Sequence, residues 1–250
     1  MNNGDERRAI DGLTTSDDGR TGQTRRFGFG GYSGGVSLRD ASASGEVSSE
    51  VLDEDVARAL RRCAQKSSTS TKVKALRELE ESLFDGDEDD GARGGGGARK
   101  SVDALAALSR PWARAYDKLA GDGDVGCRRE ASVLNGRIAV ACGKGLGKIL
   151  KSTPLVSAWV KAMCDPAEEV AAAATAAFER TFSTDERRRG AMAHAHEVIF
   201  DDLVESLGRR GPGDMIFRDG SELEQFARFD LSIRAALSAL AFTCERLCAH

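Results

Sequence analysis

From Asp53 to the carboxyl end, apolar side chains recur at helical spacing, and this periodicity constrains the chain more than any single motif. Val56, Leu60 and Cys63 form one stripe, and Val73, Leu76, Leu79 and Leu83 form another after the polar link Ser67–Ser70. Steps of three and four residues put such side chains on one face of a helix, so a hairpin of two short amphipathic helices is expected. Val102, Leu105, Leu108, Trp112, Tyr116 and Leu119 make a longer stripe, which Gly121-Asp122-Gly123 ends. A further helix carries Val133, Leu134, Ile138, Ala141 and Cys142, and Gly143, Gly145 and Gly147 predict a turn or kink before the next helix, which bears Leu155, Val156, Trp159, Val160 and Met163.

The sharpest helix start is Asp165-Pro166-Ala167-Glu168: an N-cap carboxylate, a proline where no N–H is needed, and a Glu three residues after the cap. Thr184 or Ser183 caps the next helix, expected to run to Leu207 with Met192, His196, Ile199, Leu203 and Leu207 inward. Gly211-Pro212-Gly213 separates it from a last stripe, Leu223, Phe226, Ile233, Leu237, Leu240, Cys244 and Leu247. Asp124, Arg128 and Ala131 recur as Asp165, Val170 and Ala173, a spacing of 41 to 42 residues between equivalent helix starts. A helix pair with one unburied face must stack on its neighbours. The fold expected is therefore all-α: a HEAT/armadillo-like α-solenoid of antiparallel helix pairs over 51–207, with a loop and further helix over 208–250 that suggest a chain continuing into the next repeat.

Two segments stand apart. Residues 1–50 are Gly/Ser-rich and polar, bury too little apolar surface to offset the entropy of ordering, and are expected to be a disordered tail. Within it, residues 27–35 hold Phe27, Phe29 and Tyr32, three of the twelve Phe and Tyr residues of the chain, a candidate docking motif. Asp85–Asp90 carries five acids and no base ahead of Gly94–Gly97, so 85–100 reads as a flexible insertion.

The net charge of −4 hides a contrast between segments. Arg128–Lys151 holds six Lys/Arg against Glu130 alone, a local excess suited to phosphate, although solvated helix faces carry such runs too. Six cysteines without a CxxC pair point to reduced, core-packed thiols, Cys244 and Cys248 included, in an intracellular chain. The first fifty residues lack the apolar core of a signal peptide, and no run of 18 apolar residues occurs, so a soluble cytosolic protein without membrane contact is expected. Gly143–Lys148 fails as a phosphate loop because Cys142 stands where the first glycine belongs and Ile149 replaces Ser/Thr. His194 and His196 lie two apart and cannot share a metal on a helix; His196 is expected inside and His194 outside. No nucleophile is tied to a histidine by spacing, so no catalytic residue, metal site or cofactor is assigned to this segment.

The order of the segments resembles the start of the listerin family of RING-type E3 ubiquitin ligases. The residues that carry the resemblance are Phe27 to Tyr32, the helix from Asp53 to Lys66, Thr69-Ser70-Thr71-Lys72-Val73-Lys74-Ala75-Leu76, Trp112, Arg128 to Ala131, Trp159, Ala173 to Phe178, and Phe182. It spans roughly residues 25–207; the acidic insertion and residues 208–250 carry no matching motif. The resemblance implies a solenoid that docks on the exposed face of stalled large (60S) ribosomal subunits, beside the nascent-chain quality-control factor. It implies too that a RING at the far end, with its zinc, recruits the ubiquitin-conjugating enzyme so that nascent chains are marked for degradation. Candidate contacts to ribosome or partner are Phe27, Phe29, Tyr32, Lys72, Lys74, Arg128, Arg129, Lys144 and Lys148. The alternative is a general HEAT-repeat scaffold for protein assembly or transport, with no ribosome role; a nucleotide-using enzyme built on 143–148 is remote.

Overall fold

A computed structural model describes residues 53–65, 68–84, 102–215 and 220–248. The tail with its Phe27, Phe29 and Tyr32 motif and the 85–100 insertion lie outside the described residues. The described part is all-α, in the order α1 Glu54–Ala64, α2 Thr69–Phe84, α3 Val102–Ala120, α4 Val125–Cys142, α5 Leu146–Ser152, α6 Leu155–Met163, α7 Glu168–Thr181, α8 Asp185–His194, α9 His196–Gly208 and α10 Glu222–Cys248.

These helices stack in two rows. In one, α1, α3, α6 and α9 follow each other; in the other, α2 packs on α4 and α4 on α7, while α1 pairs with α2, α3 with α4, and α6 with α7. This is a solenoid of antiparallel helix pairs, in which each pair supplies the apolar face its neighbour must bury. Every stripe read from the sequence between Val56 and Leu155 that reaches the core does so through its large side chains: Leu76, Leu79, Leu105, Leu108, Trp112, Tyr116, Leu134 and Ile138 are all buried. The two tryptophans anchor successive pairs in the same way. Trp112 Nε1 of α3 donates to Asn135 Oδ1 of α4 at 2.9 Å, and Trp159 Nε1 of α6 donates to the Ala174 carbonyl of α7 at 3.0 Å. The indole N–H is thereby satisfied while the ring is withdrawn from water, a burial worth roughly 1.5–3 kcal/mol for a large apolar side chain. Trp159 meets Phe178 edge to face with centroids 5.2 Å apart.

Helices α4 and α7 approach closely at Gly136 of α4, where a Cβ would stand 2.5 Å from the Cβ of Ala177 in α7. No larger residue fits there unless one helix withdraws.

Four expected features take a different form. The helix expected from Thr184 to Leu207 is broken at Ala195 into α8 and α9. Thr184 does cap α8, its Oγ1 accepting from Arg187 N at 3.2 Å. His196, expected inside, is exposed; its Nδ1 lies 2.8 Å from the Ala193 carbonyl, and because a carbonyl only accepts, the imidazole donates and closes the end of α8. At the other site, Asp165 precedes α7 by three residues instead of capping it directly: its Oδ1 accepts from Ala167 N at 2.8 Å and the helix begins at Glu168. Helix α10 departs from the two-row pattern, packing on α9, α6 and α8 through Ala235, Ala236, Ala239 and Thr243. Cys244 and Cys248 stand on its opposite side and are exposed, contrary to the core packing expected of them, whereas Cys63, Cys127 and Cys142 are buried.

Candidate nucleic-acid interface

The six cations expected to meet phosphate divide by position. Lys72 and Arg128 are the fourth residues of α2 and α4, and each reaches the turn inside the next helix pair. Lys72 Nζ lies 2.6 Å from Asp122 Oδ2 in the α3–α4 turn. Arg128 Nε and Nη2 grip Asp165 at 2.7 and 3.1 Å in the α6–α7 turn, and its Nη1 donates to the Asp122 carbonyl at 2.8 Å. Both side chains are buried, 5% and 4% exposed, and their charge is neutralised by equally buried carboxylates. Their expected place at a phosphate surface is therefore corrected: they are the rungs that join one pair to the next. The reason is geometric. The first turn of the second helix in a pair faces the neighbouring turn, so a long cation there meets an aspartate before it meets solvent.

Lys74 and Arg129 are exposed near the amino-terminal ends of α2 and α4, and Arg129 is held 2.6 Å from Glu130. Lys144 and Lys148 lie past the other end of α4, about 20 Å away at 1.5 Å per helical residue. The structure does not gather these four cations into one patch.

What it gathers instead is a groove. Helix α4 ends at Gly143, whose φ of 50° lies in the left-handed region that glycine adopts at no steric cost. A single 3-10 turn, Gly143–Gly145, then leads into α5, which turns Leu146, Ile149 and Leu150 inward and leaves Lys144, Lys148 and Lys151 exposed. In the following pair, α7 is succeeded by α8 in the equivalent position, and α5 packs on α8. Between these two connectors runs a groove of about 430 Å³, with Val140, Leu146 and Phe182 along it, Gly143 and Gly147 at one wall, and Arg180, Arg187 and His194 at the other. No carboxylate lines it. Among the described residues, no carboxylate within ion-pair distance holds Lys144, Lys148, Lys151, Arg180 or Arg187.

Such a channel, with Arg180 and Arg187 on one wall, an apolar floor, and Lys144 and Lys148 each one position past a glycine of the other wall, suits a phosphate backbone with bases or sugars resting on the floor. Sequence reasoning found Lys144 and Lys148 but missed Arg180, Arg187 and His194, which come from the next pair. The run Arg187-Arg188-Arg189 together with the 41-to-42-residue repeat was the signal that could have found them.

A second charged cluster is inward. Lys161 of α6 lies 2.7 Å from Asp202 of α9 and 3.7 Å from Asp117 of α3, and Ser157 donates to Asp202. Burial pushes the Asp117 carboxyl above the usual range, and Lys161 between the two carboxylates offsets this only in part. For Lys161, burial acts to lower the pKa, but the two carboxylates together raise it above its ordinary value. The two results agree if Asp202, at 2.7 Å, is the close partner and Asp117 the surplus carboxylate. The cluster joins three helices of one row, and the Ser157 hydroxyl in it is wholly buried and committed to Asp202, so its chemistry is structural.

Among the described residues, no group of three or more His, Cys, Asp or Glu could hold a metal, and no helix is long and apolar enough to cross a membrane. Searches of curated proteins and of solved structures returned no match. The family model described as "E3 ubiquitin-protein ligase listerin, N-terminal domain" matches residues 51–247. The match carries on through α10, past residue 207 where the sequence resemblance stopped. A match across most of the chain, on a solenoid of the expected architecture, shows that the chain belongs to the listerin amino-terminal domain family, whose members are E3 ubiquitin ligases.

Proposed function

We propose that this chain docks a listerin-type E3 ubiquitin ligase on stalled large ribosomal subunits, in the cytosol, so that a RING elsewhere in the protein can direct ubiquitin to the nascent chain. The observation that carries the proposal is the family match over 51–247. The groove between α4–α5 and α7–α8 supplies chemistry for the contact: Lys144, Lys148, Arg180 and Arg187 approach ribosomal RNA phosphates, and Lys74 and Arg129 add charge at the far end of α4. Exposed apolar residues on α10, Leu223, Phe226 and Leu237, suit a protein neighbour such as the nascent-chain quality-control factor. The Phe27, Phe29 and Tyr32 motif would add a tethered aromatic anchor. Catalysis, ubiquitin-conjugating enzyme and zinc belong to the RING in this proposal, and no described residue is assigned to them.

Co-sedimentation of the chain with large subunits, small subunits and whole ribosomes across a salt series tests it. Pelleting with large subunits alone is expected, weakening with salt by a slope of about 0.7–0.9 per phosphate contact. Charge reversal at Lys144, Lys148, Arg180 and Arg187 should flatten that slope. No pelleting with or without the partner factor, or binding indifferent to salt, would instead favour a general scaffold.

A further inference from the structure

We infer that the junction of α7, α8 and α10 is a docking site for an extended segment of a partner protein that presents one leucine-sized side chain beside a carboxylate. The junction encloses a cavity of about 120 Å³ with Met163, Phe178, Met192 and Phe242 in its lining. An apolar cavity of about 150 Å³ admits benzene, so this one takes a single Leu, Met or comparable side chain. At its mouth stand Arg188, Arg189 and Arg246, all turned toward one carboxylate, Asp185, at 3.8, 3.2 and 3.4 Å. A carboxylate offers roughly four acceptor positions against about fifteen N–H donors on three guanidiniums, so the cluster has capacity for another carboxylate, gripped in the forked geometry that arginine favours.

The occupant is a chain segment because the cavity opens onto a path. Arg189 and Arg246 line both the cavity and a shallow groove of about 490 Å³ that passes Gly190, Ala193 and Leu247 between α8 and α10. Beside Gly190 there is open space where a Cβ would stand, so a backbone can lie close to α8. The anchor fills the well, its neighbouring carboxylate meets the arginines, and the chain continues along the groove. A phosphate backbone would leave the well empty, whereas a side chain of leucine size fills it against Met163, Phe178, Met192 and Phe242. The site uses a different stripe of α8 from the cationic groove, Arg188 and Met192 as against Arg187, Ala191 and His194, so the two can be lost separately.

Selection of a random heptapeptide phage library on the 250-residue chain tests the inference. Enriched peptides should share a Leu, Met or Phe next to Asp or Glu. Their labelled synthetic forms should weaken about tenfold or more, by anisotropy, on Arg246→Glu, on Gly190→Trp, and when the peptide carboxylate becomes an amide, as loss of a charged partner at an interface does. Arg187→Glu should leave peptide binding intact while reducing ribosome pelleting. Thermal melts of each variant separate lost binding from lost fold. Absence of enrichment, binding unaffected by both Arg246→Glu and Gly190→Trp, or displacement of the peptide by single-stranded RNA through the same arginines would overturn the assignment.

Discussion

Replacing Arg128 by methionine distinguishes a structural rung from a ribosome contact. The guanidinium makes two bonds to Asp165 and donates to the carbonyls of Asp122, at 2.8 Å, and Gly123, at 3.3 Å, with both charged side chains almost wholly withdrawn from water. Methionine preserves much of the volume but leaves the Asp165 carboxylate, 2% exposed, with the Ala167 N–H as its remaining hydrogen bond. Breaking a buried pair from one side costs about 3–5 kcal/mol, because a charge stays buried without its partner. Against a total stability of about 5–15 kcal/mol the loss is large. With a urea slope of about 2 kcal/mol per molar, it moves the unfolding midpoint down by about 2 M. Trp112 and Trp159, both buried, report the transition by fluorescence, and helical circular dichroism checks that both pairs unfold together. Asp165→Asn keeps the Ala167 bond open to a side-chain oxygen and should cost less. The double replacement should cost less than the two singles combined, by about 1–3 kcal/mol of coupling. A stability change within about 0.5 kcal/mol, the range of surface substitutions, joined to a clear loss of ribosome binding, would refute the assignment of Arg128 to the frame.

Gly136→Val should destabilise by about 1–3 kcal/mol through overpacking against Ala177, and Ala177→Gly should recover part of it, as read from thermal midpoints. Asp117→Asn should raise the thermal midpoint near neutral pH. The folded pKa of Asp117 lies above the unfolded value, so the protonated carboxyl favours the fold at low pH and that stability is lost as pH rises through the folded pKa; the advantage of the amide should therefore vanish in acid. Alkylation of the native chain should label Cys244 and Cys248 first. Cys63 and Cys127, whose thiols burial pushes up to about 12, should react only on unfolding, as peptide mass mapping would show.

The helical stripes and their repeat were legible because burial on one side of a helix forces a period of 3.6, and the glycines at 121, 123 and 143 marked real turns. The two-row stacking followed from the recurrence of helix starts. What stayed hidden depended on contacts between segments far apart in the chain. Nothing local distinguishes Lys72 from Lys74, yet one lies beneath Asp122, 50 positions on, and the other faces solvent. The break at Ala195 was hidden for a related reason: α8 packs toward α5 while α9 packs on α6, with α10 against both, so tertiary partners, not propensity, divide the helix. The groove was half legible. Lys144 and Lys148, each next in sequence to a glycine of one wall, are a local run, but the Arg180 and Arg187 wall arrives through stacking.

The same residue chemistry thus serves two ends according to where it falls in a pair. A cation in the first turn of the second helix points at the aspartate of the next turn and sets the rotation of one pair on another, as Lys72 and Arg128 do. A cation in the connector after that helix has no such turn opposite it and remains at the surface, as Lys144, Lys148 and Arg187 do. The groove walls belong to consecutive pairs, so its width depends on the rotation that the Arg128–Asp165 rung holds. A conservative lysine at 128 keeps the charge but loses the fork to Asp165 and the donor to the α3–α4 turn. If the rung sets the groove, that change should lower the unfolding midpoint and, in the chain that stays folded, weaken ribosome binding with every groove cation intact.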